Sequence, residues 1–169
     1  FVEHAGVNSR TAQFAHAAAV SFERAGQTDR AAELYRRVLE VPNTRYMGSA
    51  RIALGNLLLG RGDIVAAATH FGETARAARS RELRRKGALG LARCALAEGD
   101  ADRAVAHAAE LIRTADGDRN DTGEAQLLLA QAALFTGDAG KMAAACANLV
   151  ESSPSSAEAV QPGGAEVKG

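Results

Sequence analysis

Histidine, cysteine and arginine are the side chains of this chain whose chemistry could go beyond packing. His4, His16, His70 and His107 could hold a metal or shuttle protons, but none stands at HxxxH or HExxH spacing to another. Only such spacing brings two imidazoles onto one helix face, so all four read as surface or packing histidines. Cys94 and Cys146 lack a CxxC partner and fall among apolar neighbours. Buried free thiols are expected, since free cysteine is among the most buried residue types. Without a disulfide framework the expected setting is a reducing, cytoplasmic one. GxxxxGK does not occur, and Leu59-Gly60-Arg61-Gly62-Asp63 reads as a helix end followed by an N-cap rather than a phosphate loop. No serine or cysteine nucleophile signature is found. The expectation is a non-enzymatic chain with no metal and no cofactor.

Arginine is concentrated. Arg76, Arg79, Arg81, Arg84, Arg85, Lys86 and Arg93 stand against Glu82 alone, and the next stretch, Glu98 to Glu124, has eight acids against Arg103, Arg113 and Arg119. Such runs are commonly solvated helix faces. A basic centre could also attract an acidic partner segment, or basic and acidic regions of two copies could meet. Net charge over the 169 residues is zero, which argues against a general nucleic-acid binder, since neutralising phosphates calls for a basic excess. No run reaches the ~20 apolar residues of a membrane helix. Phe1 in place of an initial Met suggests a segment of a longer polypeptide.

The elements that must position these residues are legible as a recurrence. Leu54, Gly55, Leu58, Gly62, Ala67 and Phe71 set a pattern that returns along the chain, and Gly26, Gly62, Gly99 and Gly137 are spaced by 36, 37 and 38 residues. Two short amphipathic helices joined by such a turn cannot bury their apolar stripes alone, so the recurrence implies stacked hairpins. Alanine richness, with five Phe, two Tyr and no Trp, suits close helix approach rather than a sheet. It also hints at a GC-rich bacterial source.

In chain order, Asn8 or Ser9 is expected to cap a helix with Phe14, Ala18, Ala19 and Phe22 on its apolar stripe. After Gly26 a partner helix turns Ala31, Tyr35, Val38 and Leu39 inward. Asn43 and Thr44 are expected to cap the next helix, Asp63 its partner, and Ser80 the start of the third copy. Asp121 with Glu124 three residues on reads as a capping box. The fourth copy continues through Met142, Cys146 and Val150, and the Ser, Pro and Gly of the last stretch predict a flexible tail.

Period and pattern resemble the tetratricopeptide repeat family, a helix-turn-helix of ~34 residues. Leu54, Gly55 and Leu58 correspond to its first-helix positions, and Gly62, Ala67 and Phe71 to its turn glycine, close-packing alanine and second-helix aromatic. Where the family often has Trp, this chain has Ala15, Arg51, Ala88 and Gln126. The resemblance implies an all-α, right-handed α-solenoid of about four hairpins. Its divisions would be the end of a preceding repeat over 1–7, a repeat domain over 8–154 (repeats 8–42, 43–79, 80–115 and 121–152), and a flexible tail over 155–169.

The resemblance also implies a use. In such stacks the first helices line a concave groove that contacts a partner peptide. Carried over by spacing, the groove positions are Gln13, His16 and Val20; Ser49, Ile52, Asn56 and Leu59; Lys86, Leu89, Arg93 and Leu96; and Glu124, Leu127 and Gln131, with Leu134 on the rim. Polar groups beside apolar side chains suit a peptide, whose backbone needs hydrogen bonds and whose side chains need pockets. The two-carboxylate clamp of the family's chaperone-binding members is broken, with His16 and Val20 at one pair and Gly90 beside Lys86 at the other. The expected function is a module binding a protein or peptide; the rivals are a self-assembling scaffold and an RNA-binding helical repeat.

Overall fold

The structure, a computed structural model, describes residues 2–113, 119–138, 140, 141, 143, 144, 147 and 148. Among the described residues, seven helices follow one another: α1 (Val2–Arg24), α2 (Thr28–Leu39), α3 (Met47–Gly60), α4 (Ile64–Ala77), α5 (Arg81–Ala97), α6 (Ala101–Arg113) and α7 (Arg119–Thr136). No strand occurs among the described residues. Each helix packs on the next, and α3 meets α5 as α5 meets α7, so the first helices of successive hairpins lie side by side. This is the expected helical-hairpin stack. The positions Met142, Cys146 and the tail 155–169 lie outside the described residues, as does Val150.

One local device closes the hairpins. Gly26, Gly62, Gly99 and Gly137 hold φ of 72, 81, 79 and 71°, the left-handed region that glycine enters without a Cβ clash. Around Gly62, the Gly62 amide donates to Leu59 O at 3.0 Å and the Asp63 amide to Leu58 O at 2.9 Å. That pair of bonds, the Schellman motif, satisfies carbonyls the helix end would leave orphaned, and it recurs at the other three glycines. The residue after the glycine then starts the partner helix: Asp63, Asp100 and Asp138 each accept, at 3.0 to 3.2 Å, the amide three residues on. Gln27 makes no such bond.

Tight glycines let the hairpins stack. The fully buried ring of Phe71 on α4 lies between Gly55 of α3 and Gly90 of α5, and a Cβ on Gly87 would come within 2.6 Å of the Ala75 amide nitrogen. One buried cluster joins α1 to α5 through Ala19, Tyr35, Val38, Leu54, Leu58, Phe71 and Cys94. Leu89, Ala92, Ala108, Leu111, Ala125 and Leu128 continue the core towards α7. Cys94 is buried and unbonded, with its thiol pushed above the ordinary value by that burial.

Four expectations are corrected. α1 runs unbroken through Asn8 and Ser9, so neither caps it: a cap must sit outside helical geometry, and the preceding residues are helical. Its buried positions are Ala12 and Ala19, while Phe14 is 73 % exposed. α3 begins at Met47 rather than after Asn43 and Thr44, because Asn43 turns left-handed at φ 57° and Thr44 Oγ1 accepts the Tyr46 amide two residues on, a local turn that competes with the cap. Asp121 lies inside α7, which starts at Arg119, so it cannot be the first member of a capping box.

Candidate functional site

Spacings of three and four residues put side chains on one helix face, and the first helices present the groove positions this way. The structure treats the two ends of the row differently. At the α1 end the positions fill one another's space. His16 stacks on Tyr46 with ring centroids 4.9 Å apart, and its Nε2 lies 3.1 Å from Ser49 Oγ. Because the Ser49 hydroxyl donates to Tyr46 O at 2.9 Å, it can only accept from His16, which assigns the proton to Nε2. Burial holds the His16 imidazole below its ordinary value. Val20 and Ile52 are half-buried against the first core, and Leu89, 9 % exposed, sits in the second. Gln13, Asn56 and Lys86 remain exposed, and Lys86 pairs with Glu82 at 2.6 Å.

At the other end the row opens. Leu59 of α3, Arg93 and Leu96 of α5, and Glu124, Leu127 and Gln131 of α7 surround a cavity of about 410 Å³, together with Leu128. Six of these seven are positions assigned by spacing. Leu128 was missed: its place one residue along from Leu127 reads as core, and it is buried while still lining the cavity wall. Leu127 is half-exposed, and Leu134 two turns beyond is more so. The Arg93 guanidinium reaches across from α5 to within 3.9 Å of the Glu124 carboxylate on α7. Leucines, a guanidinium, a carboxylate and an amide together line it.

The arginine-rich stretch is partly consumed by the fold. Arg84 Nη1 donates to Ala78 O at 2.8 Å and Arg79 O at 3.2 Å, closing the α4 to α5 turn. In the acidic stretch Arg103 pairs with Glu98 and Asp100, and Arg113 with Glu110, whose carboxyl is held below the usual range by that hydrogen bond. In the acidic stretch, Glu98, Asp100 and Glu110 are thus matched locally. No described helix is long and apolar enough to cross a membrane. Among the described residues, no three His, Cys, Asp or Glu side chains gather as a metal site would need.

None of the curated proteins compared with the chain matches it. Residues 17–44, covering the end of α1, all of α2 and the following loop, match the family model described as Tetratricopeptide repeat. Units of this family generally mediate protein–protein interaction and are typically non-catalytic. Residues 17–44 thus carry a segment similar to a tetratricopeptide repeat, and the all-helical hairpin stack it opens is consistent with a solenoid of that kind.

Proposed function

We propose that the chain is a non-catalytic module that holds a peptide segment of a protein partner against the open end of its first-helix row. The observation that carries this reading is the cavity shared by α3, α5 and α7, lined by leucines together with Arg93, Glu124 and Gln131. An apolar side chain of the partner would fill the space over Leu59, Leu96 and Leu127, while Gln131 and Arg93 donate to its backbone or to a carboxylate. The α1 end, occupied by His16, Tyr46 and Ser49, would bound the site. Repeats over 8–42, 43–79, 80–115 and 121–152 are the division we infer for the stack.

Selection from a random peptide display library on the intact chain tests this. Peptides so obtained should bind the Leu127→Asp variant at least about tenfold more weakly, as loss of one buried apolar contact against a new charge requires. Val65→Asp, on the exposed surface of α4, should change nothing. Equal binding to Leu127→Asp and the parent would refute the assigned surface.

A second reading, self-assembly, is favoured by Phe14. Its counterparts by repeat spacing are Ala50, Gly87 and Ala125, all buried, whereas Phe14 is exposed. A concentration series by light scattering on the parent and on Phe14→Ser separates the two, because only self-assembly makes the apparent mass depend on concentration and on that ring.

A further inference from the structure

A second cavity, of about 390 Å³, lies away from the groove, where the loop before α3 meets the turn between α4 and α5. Three guanidinium-bearing residues from three segments line it: Arg45 from the loop, Arg51 from α3 and Arg79 from the turn. No acidic side chain lines it, and its other polar groups are the neutral side chains of Asn43, Thr44, Thr74 and Ser80.

The state of each arginine matters. Arg51 is partly neutralised, its Nε lying 2.9 Å from Glu73 Oε2. Arg45 has no acid partner among the described residues: its guanidinium stands 4.8 Å over the Tyr46 ring and donates to Tyr46 Oη. Stacking holds it in place without cancelling its charge. Arg79 makes no ion pair or side-chain hydrogen bond among the described residues, and only its backbone carbonyl is engaged, by Arg84. Arg84 thereby fixes the turn that carries Arg79. Two uncompensated cations and a third shared with Glu73 converge on one concavity bordered by hydroxyl and amide groups.

We propose that this cavity binds a phosphate-class oxyanion, and specifically a phosphorylated side chain of a protein partner. A dianion with three acceptor oxygens suits cations arriving from three segments, whereas a single carboxylate engages one guanidinium fully through a bidentate pair. The three lining arginines come from three separate segments, and the chain as a whole has no net positive charge. That favours one phosphoryl group over a nucleic-acid backbone.

The test is a titration of the intact chain followed by amide NMR shifts at constant ionic strength, with inorganic phosphate, O-phosphoserine, acetate and chloride as separate arms. Phosphate and phosphoserine should give saturable shifts confined to residues 43–48 and 78–83, and acetate and chloride should not. Arg79→Ala and Arg45→Ala should each weaken phosphate by about tenfold, the size of one lost hydrogen bond between charged groups. Arg76→Ala, whose residue does not line the cavity, should leave it unchanged. Shifts that do not saturate, equal response to chloride, or insensitivity to both cavity variants would overturn the assignment. A single-stranded oligonucleotide that binds more tightly than a phosphoserine peptide and loses affinity with Arg76→Ala would overturn the choice of partner. The Leu127→Asp variant should titrate normally with phosphate, so failure here is distinct from failure of the groove.

Discussion

Phe71 and Gly90 meet so closely that a methyl group added at Gly90 would lie 2.3 Å from Cδ1 and Cγ of the ring. Gly55 receives the other side of the same ring, 2.8 Å from an added Cβ to Cε1. One aromatic therefore sets the separation of α3, α4 and α5.

Two substitutions follow from this contact. Phe71→Ala should destabilise the chain by about 3 to 5 kcal/mol through the cavity it leaves, and Gly90→Ala by about 1 to 3 kcal/mol through overpacking. Combined, they should cost clearly less than their sum, because the smaller residue at 71 makes room for the new methyl group. Urea unfolding of the four proteins measures it, and strict additivity would show that the two sites do not touch.

Gln27 and Asp63 start equivalent helices with nearly the same backbone, φ −84°, ψ 65° and φ −82°, ψ 71°. Only Asp63 accepts a capping bond, from the Ala66 amide at 3.2 Å. Gln27→Asp should thus stabilise, and Asp63→Ala destabilise, each by about 1 kcal/mol. Thermal melts would decide. A Gln27→Asp protein that melts no higher would mean that the first hairpin's turn differs from the second's.

Tyr35, fully buried on α2, donates to Glu23 Oε2 of α1 at 2.6 Å. Burial first, then this bond and the carboxylate charge, push the phenol well above its ordinary value, so it stays protonated. Tyr35→Phe should cost about 1.5 kcal/mol, the lower end for a bond to a charged group because Glu23 is only half-buried. A loss in urea unfolding that vanishes in the Glu23→Gln background would confirm the pairing.

Acid should weaken the stack. Burial lowers the imidazoles of His16 and His70 below their ordinary 6.5 in the folded chain, so the unfolded chain binds more protons as pH falls. Their contribution to stability is complete above 6.5 and is lost as the pH drops below it towards the folded-state values. Melting temperature should accordingly fall between about pH 7 and 5, and His16→Gln should flatten that slope. An unchanged slope would show that the His16 contact with Tyr46 and Ser49 does not depend on a neutral ring.

Much of the fold was legible because its punctuation is short-range. The four turn glycines and the aspartates after three of them act within a few residues, through φ above zero and one capping bond, and no distant contact can override them. The misread starts of α1, α3 and α7 have the opposite character. Asn8, Asn43, Thr44 and Asp121 are all competent caps, and which one ends up outside a helix depends on what the neighbouring chain does.

The groove shows the same division. The family resemblance, carried over by spacing, put Leu59, Arg93, Leu96, Glu124, Leu127 and Gln131 on one face, and these six line one cavity. Spacing could not tell that His16 would stack on Tyr46, or that Leu89, in the same register as Leu127, would sink into the core. Those outcomes depend on the size of side chains contributed by other helices.

By itself the sequence determined the kind of unit, a helical hairpin closed by a glycine turn, since a repeating turn and a repeating apolar stripe admit few other solutions. Only the tertiary structure decided which stretch of the first-helix row stays open and that Arg45, Arg51 and Arg79 converge on one cavity. Helix periodicity is a property of each segment alone, whereas an opening between segments exists only after their side chains have filled, or failed to fill, the space where they meet.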